Sequence, residues 1–316
     1  MITFRPAVRE NVNLIIGLAG GTGSGKTYSA MRLAAGMSGD RAFAVIDSEA
    51  RRALHYADAF KFDHAELHPP FRPDTYCDAI LSAEKSGYKV AVVDSFSHEQ
   101  AGEGGLNEWQ EEELVRMAGN DYAKRERCKM AAWIAPKVAH KKMVQRLLQV
   151  NMTLILCFRA EEKIEQIKDA QGKTQFVPKK TKTGLDGWCV IAEKSLPFEL
   201  TCSFLLTAER PGVPLPIKLE EQHRSMFDLD RPLTEASGRK IAEWATGGKP
   251  HVPAPSATQP PTRTRQVIHG EILEVADSIG MPRVDVTEKY KTDGYGNLKD
   301  IPIDYLEQYL AELRTV

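Results

Sequence analysis

The stretch 14-LIIGLAGGTGSGKTYSAM-31 decides the reading of this chain. An apolar run gives way to glycines and a serine, a lysine and a threonine follow, and helix-forming residues resume. Gly20, Gly21, Thr22, Gly23, Ser24, Gly25, Lys26 and Thr27 fit the pattern G-x-x-x-x-G-K-[ST], placed after a buried strand and at the start of a helix. The glycines let successive backbone N–H groups curl around phosphate oxygens, and the helix N-terminus adds its positive end. Lys26 is placed to reach β- and γ-phosphates, and the Thr27 hydroxyl to hold Mg²⁺. The stretch therefore predicts a nucleoside-triphosphate loop, where a bare glycine-rich turn would bind nothing.

Outward from the loop, apolar strands alternate with helices. Residues 12–18 (VNLIIGL), 41–47 (RAFAVID), 89–94 (KVAVVD) and 152–158 (MTLILCF) read as strands. Helices are expected from Lys26 to Met37, over ARRALHYADAF, and from Glu108 to Val150 with an interruption near Pro136. Near-continuous apolar strands separated by helices predict an α/β domain whose mostly parallel sheet is covered on both faces. Beyond Arg159 the pattern changes. KIEQIKDAQGKTQFVPKK reads as a β-hairpin, and 199–209, PIKLEE and SMFDL as further strands. A helix over 234–246, capped by Thr234, closes the domain.

Two carboxylates complete a candidate site. Asp94 ends an unbroken apolar strand and is placed as the second Mg²⁺ partner. Glu49 follows the strand 41–47, where a carboxylate can face the carboxyl edge of the sheet and orient water. Read from the residues alone, Glu49 is rather a solvated glutamate at a helix start, favoured by the helix dipole.

RAFAVIDSEARRALHYADAF, KVAVVDSFSH and NMTLILCFRAEEKI, in that order and spacing, resemble the ATPase core of the RecA recombinase family. The resemblance implies ATP as the nucleotide, Glu49 as the catalytic glutamate and Tyr56 as the ring that stacks on adenine; a core-facing Tyr56 is the alternative. The family's fourth strand ends in a γ-phosphate sensor, usually Asn-Gln or histidine. Here Arg159-Ala160 stand there, a departure that leaves Arg159 a γ-phosphate contact, a reach to an adjacent subunit's nucleotide, or a surface cation. FRPAVREN, the intact loop and MAAWIAPKVAHKKMVQRLLQV resemble more closely the phage-encoded RecA-like single-strand annealing proteins of the fourth Sak group. This likeness covers about residues 1–246. It implies a RecA-like P-loop NTPase core with a β-hairpin extension, ATP hydrolysis with Mg²⁺, single-stranded DNA as partner, a homo-oligomer, and a role in phage recombination.

Local charge fits such a partner where the whole molecule does not. The 316 residues are 42% apolar and 27% charged, with formal net charge −1, so no overall field draws the protein to polyanions. Residues 122–146 carry Lys124, Arg125, Arg127, Lys129, Lys137, Lys141, Lys142 and Arg146 against Glu126. Residues 168–182 carry Lys168, Lys173, Lys179, Lys180 and Lys182 against Asp169. Lys173, Lys179, Lys180 and Lys182 are the candidate DNA contacts, since lysines on a loop neutralise phosphates without reading sequence. Trp133 and Trp188 are candidates for stacking on bases, or buried. Phe4-Arg-Pro-Ala7 matches the FxxA pattern by which eukaryotic relatives dock on a neighbouring subunit, or is a strand lead-in.

Residues 247–265, GGKPHVPAPSATQPPTRTR, have a linker's composition. They separate a domain of residues 1–246 from a module of about 267–316, expected as three helices at 267–279, 283–291 and 303–314. That module resembles the small helical tail of phage recombination proteins, including the lambda Beta annealing type. The likeness implies recruitment of a host single-strand-binding protein; a dimerising or stabilising tail is the alternative. Cys77, Cys128, Cys157, Cys189 and Cys202 form no CxxC and read as reduced, buried thiols. The absence of a membrane-length apolar run or leader-like segment predicts a cytoplasmic protein with no membrane partner. Two other readings stand beside recombination: a small-molecule, nucleoside-type P-loop kinase, and a nucleotide-gated adaptor that does not remodel DNA.

Overall fold

The computed structural model describes Arg9 and residues 12–168, 172–181, 184–247 and 265–314. The chain divides into two compact units, Met1–Val252 and Pro253–Val316. The division falls inside the expected linker, most of which lies outside the described residues, as do Phe4–Ala7 and Lys182.

In the first unit the order is β1 (Ile15–Gly20), α1 (Lys26–Ser38), β2 (Phe43–Asp47), β3 (Phe62–Glu66), α2 (Pro73–Lys85), β4 (Val90–Asp94), α3 (Ser97–Ala101), α4 (Leu106–Ala118), α5 (Tyr122–Cys128) and α6 (Ile134–Leu147). There follow β5 (Thr153–Glu162), β6 (Ile164–Lys168), β7 (Thr174–Pro178), β8 (Trp188–Val190), α7 (Leu196–Glu199), β9 (Cys202–Leu206), β10 (Leu215–Lys218), α8 (Glu221–Arg224) and α9 (Glu235–Ala245). The main sheet runs β10-β9-β1-β5-β4-β2-β3, with β8 added to the outer end of β5. All neighbours are parallel except β10 beside β9 and β8 beside β5.

The alternation of side chains divides the core by face. Val45, Val90, Val92 and Ile155 pack with Met31 and Leu33 of α1 and Ile241 of α9. Ile46, Ala91, Val93, Leu154 and Leu156 pack with Ile80 of α2 and Met143 and Leu147 of α6. Period-two strands carrying apolar residues on both faces demand this double cover. Helices α1 and α9 approach closely. A Cβ on Gly36 would lie 2.1 Å from the Glu235 carbonyl oxygen, and one on Gly238 would lie 2.2 Å from that of Leu33. Arg32 closes the crossing with a two-pronged donation to Glu235, at 2.9 and 2.7 Å.

Several sequence expectations need correction. The helix expected over ARRALHYADAF is a single 3-10 turn, Arg52–Tyr56. The helical region of 108–150 breaks twice: at Gly119, whose φ is 55°, which was not expected, and between Cys128 and Ile134, just before Pro136, as expected; Pro136 itself sits in the first turn of α6, where a missing N–H costs nothing. SMFDL is not a strand, although Met226 and Phe227 within it are buried. Thr234 occupies the N-cap of α9 without a capping hydrogen bond from its side chain. β5 runs to Glu162, so Arg159 lies within a strand and not at its end. The hairpin is present as β6 and β7, in antiparallel register Ile164↔Pro178 to Lys168↔Thr174. All five cysteines are free: Cys77, Cys157 and Cys202 are buried, while Cys128 and Cys189 are half-buried.

The second unit holds α10 (Arg265–Ser278), α11 (Arg283–Thr292) and α12 (Ile303–Leu313), close to the three helices expected. Ile268, Ile272, Val286, Leu306 and Leu310 form its own core. Among the described residues, no helix is long and apolar enough to cross a membrane.

Candidate functional site

The parallel strands β1, β5, β4 and β2 bring their carboxyl ends to one edge of the sheet, and the glycine loop turns there. Glycine is required at its start: a Cβ on Gly20 would lie 2.4 Å from the Leu206 carbonyl oxygen and 2.5 Å from Ser24 Oγ. Gly23 and Gly25 hold left-handed φ values of 74° and 79°, which favour glycine. The loop braces itself. Ser24 donates to the Gly21 carbonyl at 2.8 Å, and Lys26 Nζ donates to the same oxygen at 3.1 Å. Trp188 has its ring beside Gly21 and is half-buried against the core.

Thr27, at the second position of α1, donates its hydroxyl to Asp94 Oδ2 at 2.5 Å. Asp94 is buried at the end of β4. Burial raises its pKa, Thr27 opposes that rise, and Glu49 adds to it. A buried carboxylate costs free energy unless a donor or cation faces it. Among the described residues no group of three or more His, Cys, Asp or Glu side chains could hold a metal on its own. The hydroxyl–carboxylate pair is instead of the kind that holds a hard cation together with ligand phosphates.

Glu49 stands across the edge from this pair. It is fixed by Asp47, at the end of β2, a residue the sequence did not single out. Asp47 Oδ1 accepts the Glu49 backbone N–H at 2.6 Å, Oδ2 accepts the Ala53 N–H at 2.9 Å, and His64 Nε2 lies 3.1 Å from Oδ2. Between Glu49 and Ala53, Ala50 and Arg51 take left-handed φ values of 54° and 67°. The chain thus turns around one carboxylate and holds Glu49 inward, with its side chain 13% exposed. This is not the solvated glutamate that the residues alone allow.

Arg159 spans the gap. Its Nε and a terminal nitrogen both donate to Glu49 Oε1, at 3.1 and 2.7 Å. Arg52 approaches Oε2 at 3.4 Å. His98, four residues after Asp94, also faces this group, and it too gave no signal of its own in the sequence. Its Nδ1 lies 2.9 Å from Ser48 Oγ, and its Nε2 lies 3.7 Å from Glu49 Oε1. Burial, and then Arg159, hold the His98 pKa below its ordinary value, against the pull of Glu49. The ring is therefore neutral at neutral pH.

Gly20–Thr27, Glu49, Tyr56, Asp94 and Arg159 all line one open cleft of about 890 Å³, together with Tyr28, Arg52, His55 and Ile191. Tyr56 is half-buried against the α1 face of the core and also borders the cleft. The exposed Tyr28 ring lies 5.9 Å from it.

Of the lysines expected to meet DNA, the three described lie outside the cleft. Lys173, Lys179 and Lys180 are exposed on and after the β6–β7 hairpin. The hairpin carries Phe176 and Ile164, each 68% exposed. On α5 and α6, Lys124, Arg127, Lys137, Lys141, Lys142 and Arg146 are exposed, as is Lys129 just after α5, while Arg125 pairs with Glu111. Trp133 is half-buried, with Lys137 Nζ 5.9 Å from its ring centre. No family model matches the chain, and no curated protein matches it.

Proposed function

We propose that this chain is a RecA-like, Mg-ATP-dependent ATPase that binds single-stranded DNA and promotes annealing or strand pairing in phage recombination. The observation that carries the nucleotide half is the Thr27–Asp94 hydrogen bond beneath the glycine loop, with Glu49 facing it across the sheet edge. The residues present suit a triphosphate with Mg²⁺. Gly20 permits a tight turn that a Cβ would obstruct, and Gly20–Thr27, with Lys26 among them, line the cleft that Tyr28 and Tyr56 border. The DNA half rests on the family resemblance, supported by the exposed lysines of the hairpin.

In this reading the loop N–H groups and Lys26 bind the β- and γ-phosphates. Bound Mg²⁺ neutralises charge developing on those oxygens. Thr27 and Asp94 hold the cation, Tyr56 borders the base, and Glu49 accepts a hydrogen bond from water in line with the γ-phosphate. β5 lies between the loop strand and the Asp94 strand, so Arg159 is carried between the two. The protein works as a homo-oligomer in the bacterial host's cytoplasm, with a host single-strand-binding protein as partner of the helical tail.

The test is nucleotide turnover with and without single-stranded DNA, beside a panel of nucleosides as phosphoryl acceptors. Stimulation by DNA supports the reading, phosphorylated nucleoside supports a kinase, and turnover indifferent to both supports a nucleotide-gated adaptor. Lys26→Ala should lose turnover while the protein stays folded; unchanged hydrolysis would remove the loop from the site.

A further inference from the structure

Two side chains converge on one oxygen, Glu49 Oε1, and they differ in kind. Arg159 gives it two short hydrogen bonds, but its side chain is 49% exposed and long enough to turn toward a phosphate. While Arg159 grips Glu49, two donors occupy Oε1, so that oxygen is not open to a water. His98 is different. Its side chain is 14% exposed, and its ring lies 5.1 Å from that of Phe71, in tilted contact. It is too short to follow a phosphate.

The hydrogen bonds around Ser48 assign the tautomer. Ser48 Oγ accepts the Ser95 N–H at 2.9 Å and has one proton to give, either to the Ser95 carbonyl at 3.0 Å or to His98 Nδ1 at 2.9 Å. The Ser95 carbonyl already receives the Tyr76 hydroxyl at 2.8 Å. The proton therefore serves Nδ1 better. With Ser48 donating to Nδ1, the proton of the neutral ring sits on Nε2 and points toward Glu49. The opposite tautomer would set a lone pair against a carboxylate.

We propose that His98 is a positioning residue for Glu49: anchored by Ser48 through Nδ1, it presents Nε2–H to the carboxylate and keeps it aimed when Arg159 turns to the nucleotide. This rests on the hydrolytic reading of the cleft. The present 3.7 Å is beyond hydrogen-bond reach while Arg159 occupies the oxygen; it closes when the guanidinium leaves, as contacts of this sort tighten in the loaded complex. A neutral donor orients the carboxylate and leaves its charge available, which a second cation would not.

The test separates the two ring nitrogens. Asn at 98 reproduces the Nδ1 side and Gln the Nε2 side. His98→Ala and His98→Asn should lower kcat by about 10- to 100-fold, the scale of a misaimed catalytic group, with KM and affinity for a fluorescent ATP analogue unchanged. His98→Gln should restore kcat to near the parent value. Nitrogen-15 NMR of the nucleotide-free protein at neutral pH should show His98 protonated on Nε2, a result that needs no turnover. An Nδ1–H tautomer, full activity in His98→Ala, or an active His98→Asn beside an inactive His98→Gln would each overturn the proposal. A parent protein that turns over no nucleotide would overturn the hydrolytic reading itself, and that failure is visible before any variant is made.

Discussion

Asp47 accepts the backbone N–H of Glu49 at 2.6 Å, so the carboxylate that ends β2 fixes the one two residues beyond it. Its other oxygen takes the Ala53 N–H. Asp47→Ala leaves two backbone donors without their partner in a nearly buried turn, at a cost of about 1–3 kcal/mol for such an unsatisfied group. Because Glu49 loses its anchor, kcat should fall as well. Urea unfolding and steady-state kinetics on the same preparation check both; a loss of stability with kcat intact would detach Asp47 from the site.

Glu49→Gln keeps shape and hydrogen bonding but removes basicity. It should bind ATP near normally and hydrolyse it slower by ~10²-fold or more. Binding is read with a fluorescent analogue and hydrolysis as phosphate release. Wild-type turnover in this variant would return Glu49 to a structural role beside Arg159.

Much of this site was legible because its elements are local. The loop announces itself in contiguous residues, and β2, β4 and β5 are apolar runs that a doubly covered sheet buries best. What was illegible depends on residues distant in sequence. β3 (FDHAE) is an edge strand with mostly exposed side chains, so it has no apolar signature. SMFDL reads as a short apolar strand, yet Met226 and Phe227 fill the α1 face from a loop. Arg159 reads as a strand end because the apolar run stops there; the strand continues through exposed Glu161 and Glu162 because β8 pairs with it. His98 looks like any polar residue after a strand until folding sets it against Ser48 and Glu49.

The α1–α9 crossing gives a packing prediction. Gly36→Ala sets a methyl group 2.1 Å from a backbone oxygen that no rotamer change can move, so the helices must separate. Overpacking of this kind costs about 1–3 kcal/mol. At Gly270, in α10, a Cβ would meet nothing within 4 Å, so Gly270→Ala should stabilise its unit by up to about 1 kcal/mol through helix propensity. Denaturation of the two variants checks the contrast; a neutral Gly36→Ala would mean that the crossing yields more easily than its close approach implies.

Acid sensitivity should follow from the histidines. Burial holds His98, His223 and His269 below their ordinary pKa. The unfolded chain then binds more protons than the folded one at pH values below about 6.5, the ordinary histidine pKa. Their contribution to stability is complete above that pH and is lost as pH falls toward the depressed folded values. His223 is the cleanest probe, since it is buried beside Trp244, with ring centres 4.8 Å apart, and its Nδ1 has no hydrogen-bond partner among the described residues. The stability difference between the parent and His223→Gln, followed by tryptophan fluorescence, should shrink on acidification from pH 7. A difference independent of pH would assign the loss to packing alone.

The hairpin lysines give the prediction that bears most on the biological reading. Lys173, Lys179 and Lys180 are exposed on and after β6–β7, and Lys182 follows in sequence outside the described residues. If they touch backbone phosphates, affinity for single strands should fall steeply with salt. Neutralising all four should flatten the log–log slope by up to ~0.7 for each phosphate no longer neutralised. The effect should be alike for unrelated sequences, because phosphate contacts position a strand without specifying it. The tail of residues 267–316 should be dispensable for this binding and needed only to recruit a single-strand-binding protein. Fluorescence anisotropy of a labelled oligonucleotide across a salt series, with an ATP analogue present, makes the measurement. An unchanged slope in the quadruple variant would move the DNA to the exposed cations of α5 and α6. No detectable binding by the parent protein at low salt, in any nucleotide state, would defeat the recombination reading and leave a nucleotide-hydrolysing protein whose partner is of another kind.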